Sequence, residues 1–176
     1  MASREPEVAP AGKISLRPAS AKDSEFLFHV YASTRQGEVA SWGWSPAQQS
    51  SFFRMQYDVR QRGFAAAYPT AAVSVVCVDA VDAGSIIIFR GSNEVRLMDI
   101  SLLPEYRGRG IGQALIGTLM SEASRLQSPL RLSVLRGNRA ARLYERMGFV
   151  AKGGDAMYSE MEWVPAPGGE KAEGVS

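Results

Sequence analysis

The sequence predicts an α/β domain built on a mixed sheet, and three observations carry that prediction. Short β-branched runs with a two-residue period alternate with stretches whose apolar residues recur every three or four positions. A glycine-rich segment, Arg107-Gly108-Arg109-Gly110-Ile111-Gly112, joins an apolar run to a helical pattern. The 176 residues, 45% hydrophobic and 22% charged, can fill one sizeable core, and no second globular stretch follows.

Residues 13–18 alternate Ile14 and Leu16 with polar neighbours, the pattern of a half-buried strand. Ser20 with Asp23 three positions later matches a capping box, and Phe26, Leu27, Val30 and Tyr31 then recur along one helical face. His29, the only histidine, lies beside Phe28 and Val30 and is expected to pack. Ser45-Pro46-Ala47-Gln48 opens a second helix with proline at its first position, and Phe52, Met55 and Val59 read as its apolar stripe. Residues 73–78 and 84–89 read as a hairpin closed by the turn-prone 79–83, and 95–103 as a third strand of similar character.

Beyond the glycine segment, Ile111, Leu115, Leu119 and Leu126 mark one face of a helix that ends near residues 127–129. Residues 130–135 form the next strand. Asn138 suits the N-cap of a short helix carrying Leu143 and Met147, and Gly148 sits where a left-handed C-cap belongs. Residues 157–164 close the sheet. The ends, 1–12 and 165–176, are rich in Pro, Gly, Ala and Glu and are expected to be loose tails around a single domain at 13–164.

Composition narrows the function classes. The formal charge of +2 hides a skew toward arginine, with Arg107, Arg109, Arg131, Arg136, Arg139, Arg142 and Arg146 in one third of the chain. Arginine's planar fork suits phosphate, so an anionic ligand is expected there. The small net charge, with acidic residues interspersed, argues against nucleic acid. A single cysteine, Cys77, allows no internal disulfide, and with one histidine no metal site is expected. Both this and the lack of a signal-like or membrane-length apolar run point to a cytoplasmic setting.

A strand that turns into a helix through glycines leaves several backbone N–H groups free for an anion. Two familiar phosphate loops do not fit. A dinucleotide fingerprint would need glycine at Gln113, and a P-loop needs a lysine that is missing everywhere between Lys22 and Lys152.

What remains is Arg-x-x-Gly-x-Gly at Arg107, Gly110 and Gly112, preceded by Leu102-Leu103-Pro104-Glu105-Tyr106 and followed later by Asn-Arg-Ala-Ala-Arg-Leu-Tyr-Glu-Arg-Met-Gly-Phe at 138–149. On these two motifs and their order, residues 95–149 resemble the GNAT superfamily of acyl-CoA-dependent N-acetyltransferases. The resemblance implies a mostly antiparallel central sheet of about seven strands flanked by about four helices. It implies that the amides of Arg107, Gly108, Arg109, Gly110, Ile111 and Gly112 cradle the pyrophosphate of acetyl-CoA, the cosubstrate. It further implies that backbone from Ile100 to Leu102 pairs with the pantetheine arm and that the Leu102 N–H stabilises the oxyanion.

By the same resemblance Tyr144 is the general acid for the leaving thiolate, its rival role being a core tyrosine beside Leu143. Asn138 caps its helix and is a candidate cofactor contact. Asp99 is the candidate base, acting through water, or else a structurally paired carboxylate; Glu94 lies nearer the strand's start. The glutamate some members carry before the last motif is replaced here by Leu132-Ser133-Val134. Acceptor specificity is expected from the connector 34–44, with Glu38, Trp42 and Trp44 as candidates, although the tryptophans could instead cap the core.

The reading is therefore direct acetyl transfer to an amine of a small molecule or peptide, with no nucleic acid, membrane or metal partner. Cys77 lies far in sequence from the loop, which argues against a covalent intermediate. A homodimer is left open. The rival class is a non-catalytic acyl-CoA-binding or sensing module.

Overall fold

Asp79 and Ala80 both take positive φ, 50° and 65°, the mirror-image geometry that lets two residues close a twisted hairpin. They join strand β2 (Ala72–Val78) to β3 (Val81–Arg90), so the turn is shorter than the expected 79–83 and β3 begins at Val81. Register then slips between Val76 and Cys77: Val76 faces Gly84 while Cys77 faces Asp82, leaving Ala83 as a bulge. The Ala83 carbonyl accepts from the Leu103 N–H at 2.9 Å.

The computed structural model describes residues 12–167. Among them, seven strands hydrogen-bond in the order β1-β2-β3-β4-β5-β7-β6. The pairs β1–β2, β2–β3, β5–β7 and β6–β7 are antiparallel and β4–β5 is parallel, where β1 is Ile14–Pro18, β4 Val95–Leu102, β5 Leu130–Leu135, β6 Val150–Gly154 and β7 Tyr158–Trp163. Five α-helices accompany them: α1 (Ser24–Ser33), α2 (Gln36–Val39), α3 (Pro46–Ala67), α4 (Ile111–Leu126) and α5 (Ala140–Arg146). The mostly antiparallel sheet is thus as expected. The expected tails fall outside the described residues, except for Gly12 and 165–167. No helix among the described residues is long and apolar enough to cross a membrane.

The chain forms two compact units. In the first, residues up to Phe89 with Met98–Ala114, the capping box at Ser20 and Asp23 starts a short 3-10 turn that runs into α1. Phe28, Tyr31, Val39 and Phe53 form a buried cluster, with Tyr57 packed against it. The inner face of α3 is therefore Phe53 and Tyr57 together with Phe52, the one residue of the expected stripe that packs against this cluster. Met55 and Val59, expected to be buried, are each 57% exposed. A 22-residue helix offers two staggered apolar stripes, and periodicity alone does not say which one the core takes. His29 is likewise exposed and does not pack. Leu16 is exposed on the edge strand β1, where only one neighbour is available.

In the second unit, Arg90–Leu97 with residues from Leu115 on, Leu115, Ile116, Leu119 and Ala123 of α4 are buried, as are Val95, Leu97, Leu130, Leu132, Val134 and Met161 from the strands. Strand β6 has no counterpart in the sequence reading. All five of its residues are exposed, and Gly153 and Gly154 sit at φ 149° and 124°, so no apolar period announces it.

Candidate active site

Strand β4 ends where the site begins. Its parallel register with β5 covers only Val95↔Leu130, Arg96↔Arg131 and Leu97↔Leu132. The strand continues through Met98–Leu102 in the first unit, where β3 approaches it closely: a Cβ added at Gly84 would lie 2.3 Å from the Ser101 carbonyl oxygen. Only glycine permits that approach. Together with the Ala83–Leu103 bond, it fixes the end of β4.

Pro104–Tyr106 then form a 3-10 turn, and Gly108 and Gly110 follow at φ 70° and 75°. A Cβ at either glycine would meet nothing within 4 Å, so the turn is open on that side. The first bond of the α4 ladder runs from the Ala114 N–H to the Gly110 carbonyl at 3.0 Å. The amides of Ile111, Gly112 and Gln113 precede that ladder and have no intrahelical partner. Ile111 is buried, and its side chain seats the start of the helix. At Gly112 an added Cβ would meet only the Ile100 side chain, at 3.9 Å.

Arg107 behaves differently from the glycines. Its N–H donates to the Pro104 carbonyl at 3.2 Å, and its guanidinium turns back to the Leu102 carbonyl and the Ser33 hydroxyl. Arg109 lies with its guanidinium carbon 5.4 Å from the Tyr106 ring centroid. Within the second unit Arg131 pairs with Glu94 at 3.0 Å and Glu162 at 2.8 Å, and Arg136 donates to the Asp155 carbonyl at 2.7 Å.

Asp99 lies in the first unit. One carboxylate oxygen takes the Arg60 guanidinium at 2.6 Å and the other accepts from the Ser101 hydroxyl at 3.0 Å. Tyr31, Tyr57, Arg60, Ser85, Asp99 and Ser101 line a cavity of about 10 Å³, the scale of a single water. Burial pushes both tyrosine hydroxyls above their ordinary range. Glu94, the other carboxylate considered, belongs to the second unit and pairs with Arg96 and Arg131. The sequence did not reveal Arg60, whose position on α3 carries no motif.

In the connector, Glu38 forms an ion pair with Arg35 at 2.7 Å. Trp42 and Trp44 meet edge to face with centroids 4.8 Å apart, and both contact Phe52 at the start of α3. Trp42 is half exposed. Phe52 in turn packs against the buried group of Phe28, Tyr31, Val39 and Phe53, so the two tryptophans extend the rim of that cluster.

The second unit carries Tyr144 and Asn138. Tyr144 is buried on α5 with its ring 5.8 Å from that of Phe149. The expected N-cap falls one residue later, at Arg139, which makes no side-chain cap bond; the Asn138 side chain, just before it, accepts from the Ala140 N–H at 2.9 Å, and Gly148 follows the helix end at φ 96°. Cys77 is buried in the first unit, and burial, with a contact to Asp82, pushes its thiol up, away from reactive thiolate. Among the described residues no three or more His, Cys, Asp or Glu side chains come together in a group that could hold a metal ion.

A strand whose end is fixed by its neighbour runs into an open, glycine-lined turn at a helix N-terminus, an arrangement in an α/β domain whose backbone N–H groups suit an anion. The acetyltransferase (GNAT) domain model matches residues 50–151, more than half of the chain, and the protein belongs to that family. No curated protein sequence matches it significantly. Among solved structures it is similar to the PaiA N-acetyltransferase of Thermoplasma acidophilum in complex with coenzyme A, at 22% identity over 86% of this chain and 99% of that one, TM-score 0.64. The ribosomal-protein-S18-alanine N-acetyltransferase of Escherichia coli aligns at 20% identity over 90% and 98%, TM-score 0.59. An acetyltransferase from Thermus thermophilus aligns at 17% identity over 89% and 99%, TM-score 0.64. At such identities the likeness establishes the shared fold.

Proposed function

We propose that this protein transfers the acetyl group of acetyl-CoA directly to a primary amine of a small molecule or peptide. The observation that carries the reading is the open turn at Gly108 and Gly110 running into the unpaired amides of Ile111, Gly112 and Gln113. Backbone amides at a helix N-terminus suit a pyrophosphate, and the empty space where two Cβ atoms would stand lets it come close.

Acetyl-CoA supplies an activated thioester. Backbone of Ile100–Leu102, past the three residues paired with β5, is the edge on which its pantetheine arm would add as a strand. The Leu102 N–H would donate to the carbonyl oxygen as the amine nitrogen bonds to the carbonyl carbon and the carbon–sulfur bond breaks. Tyr144 is assigned to protonate the departing thiolate, and Asp99 to draw the amine proton through a water in the small cavity it lines. Asn138 is assigned to the cofactor side, and Trp42, Trp44 and Glu38 to the acceptor side. The buried thiol of Cys77 suits direct transfer and a reducing cytoplasm.

One observation favours the second reading, an acyl-CoA sensor: both oxygens of Asp99 are already engaged. Calorimetry with acetyl-CoA, followed by coenzyme A release against polyamines, aminoglycosides, amino acids and peptide N-termini, separates the two. Binding with turnover on an amine, and no acetylated Cys77 by mass spectrometry, is the expected result. Binding without turnover on any amine gives the sensor.

A further inference from the structure

Arg107 opens the Arg-x-x-Gly-x-Gly motif, where an arginine invites assignment to the pyrophosphate. Its side chain in this chain is otherwise engaged. The Nε–H donates to the Leu102 carbonyl at 2.8 Å and a terminal N–H donates to the Ser33 hydroxyl at 3.1 Å. Ser33 Oγ in turn donates to the Val30 carbonyl at 2.7 Å, which orients its lone pairs outward to accept. The Arg107 amide is used as well, on Pro104. All of these groups lie in the first unit.

We propose that Arg107 is a positioning residue seated on Ser33, and that this pair braces the glycine turn rather than binding phosphate through the arginine side chain. The guanidinium fork pins the last carbonyl of β4 and the last residue of α1 to the start of the turn, a two-point hold that a lysine ammonium does not reproduce. Ser33 is also the residue from which the connector carrying Trp42 and Trp44 departs. One hydrogen-bond chain, Leu102 to Arg107 to Ser33 to Val30, therefore sets both the amides of the turn and the origin of the acceptor segment. Ser33 is assigned by no motif.

The inference rests on the acyl-CoA reading above, and the test separates them. Ser33→Ala removes no charge and lies outside the glycine turn. It should speed amide hydrogen exchange of residues 107–113 in the free protein and weaken acetyl-CoA binding in calorimetry by about three- to tenfold, the scale of one ordinary hydrogen bond. Ser33→Thr, which keeps a hydroxyl, should restore both; Thr34 already makes the same type of bond to the Tyr31 carbonyl. Arg107→Lys should resemble Ser33→Ala, and adding Ser33→Ala to it should cost nothing further.

The opposite pattern overturns the brace: Ser33→Ala without effect on exchange or affinity, together with Arg107→Ala weakening affinity and flattening its dependence on salt, as loss of a phosphate contact would. Wild-type protein that takes up no acetyl-CoA would instead overturn the acyl-CoA reading, and the brace as a device serving it.

Discussion

The Arg60 guanidinium lies 2.6 Å from the Asp99 carboxylate, joining the middle of α3 to the strand that leads into the glycine turn. Both side chains are largely shielded, at 25% and 18% exposure, so each leaves a poorly solvated charge when the other is removed. Asp99→Asn should lower kcat by about a hundredfold if the carboxylate takes the amine proton, with the acetyl-CoA dissociation constant little changed. Arg60→Met keeps the acceptor oxygens and should cost far less activity. Equal losses in steady-state assays of the two variants would assign the pair a purely structural role.

Gly112 offers the cleanest test of the cradle. Its φ is not positive and an added Cβ would meet only Ile100, at 3.9 Å, so Gly112→Ala should leave stability within about 1 kcal/mol of the parent. Acetyl-CoA affinity should nevertheless fall, since the methyl enters the face assigned to the pyrophosphate. Urea unfolding and calorimetry on one preparation check both halves. Gly110→Val, at φ 75°, adds backbone strain of about 1–2 kcal/mol and is the less informative variant.

Tyr144→Phe deletes one hydroxyl and keeps the ring that packs 5.8 Å from Phe149. Turnover should drop by about tenfold to a hundredfold while acetyl-CoA affinity and melting temperature stay near the parent values. A fall in melting temperature with unchanged turnover would make Tyr144 a core residue only.

Gly84→Ala should damage the site from a distance. The new methyl would stand 2.3 Å from the Ser101 oxygen and 2.8 Å from the Leu102 side chain, so β3 and β4 must part. Overpacking of this kind costs about 1–3 kcal/mol, and it should raise the KM for acetyl-CoA as well as lower the unfolding midpoint.

Acid sensitivity should trace to Arg17. Its guanidinium donates to both oxygens of Asp23 and to Asp82, and with the Ser20 N–H it holds the Asp23 carboxyl well below the usual carboxylate range; Arg17 lowers Asp82 as well. A depressed folded-state pKa gives stability that is fully present above the unfolded value, about 4, and that drains away as pH falls below it. Asp23→Asn should therefore lower the urea midpoint at pH 7, and the gap to the parent should narrow steadily below about pH 4. A gap independent of pH would show that the ionised form is not what stabilises the fold.

The local signals were legible because their causes are local. The capping box at Ser20, the Ser45-Pro46 helix start, the left-handed Gly148 and the glycine turn each depend on neighbours within a few residues, and the structure carries all four. Membership of the acetyltransferase family was likewise readable from Arg107 to Gly112 and from 138–149. Strand β6 was not, because its exposed, glycine-ended residues are held by pairing with β7 rather than by their own pattern.

The sequence by itself determined the order of the motif-bearing elements and the glycine turn, since backbone freedom and apolar period reside in consecutive residues. Only the tertiary structure decided which side of α3 is buried, that Arg60 meets Asp99 and that Arg107 turns onto Ser33. Those are choices among side chains 39 and 74 residues apart, made by packing and hydrogen-bond geometry that no local period encodes.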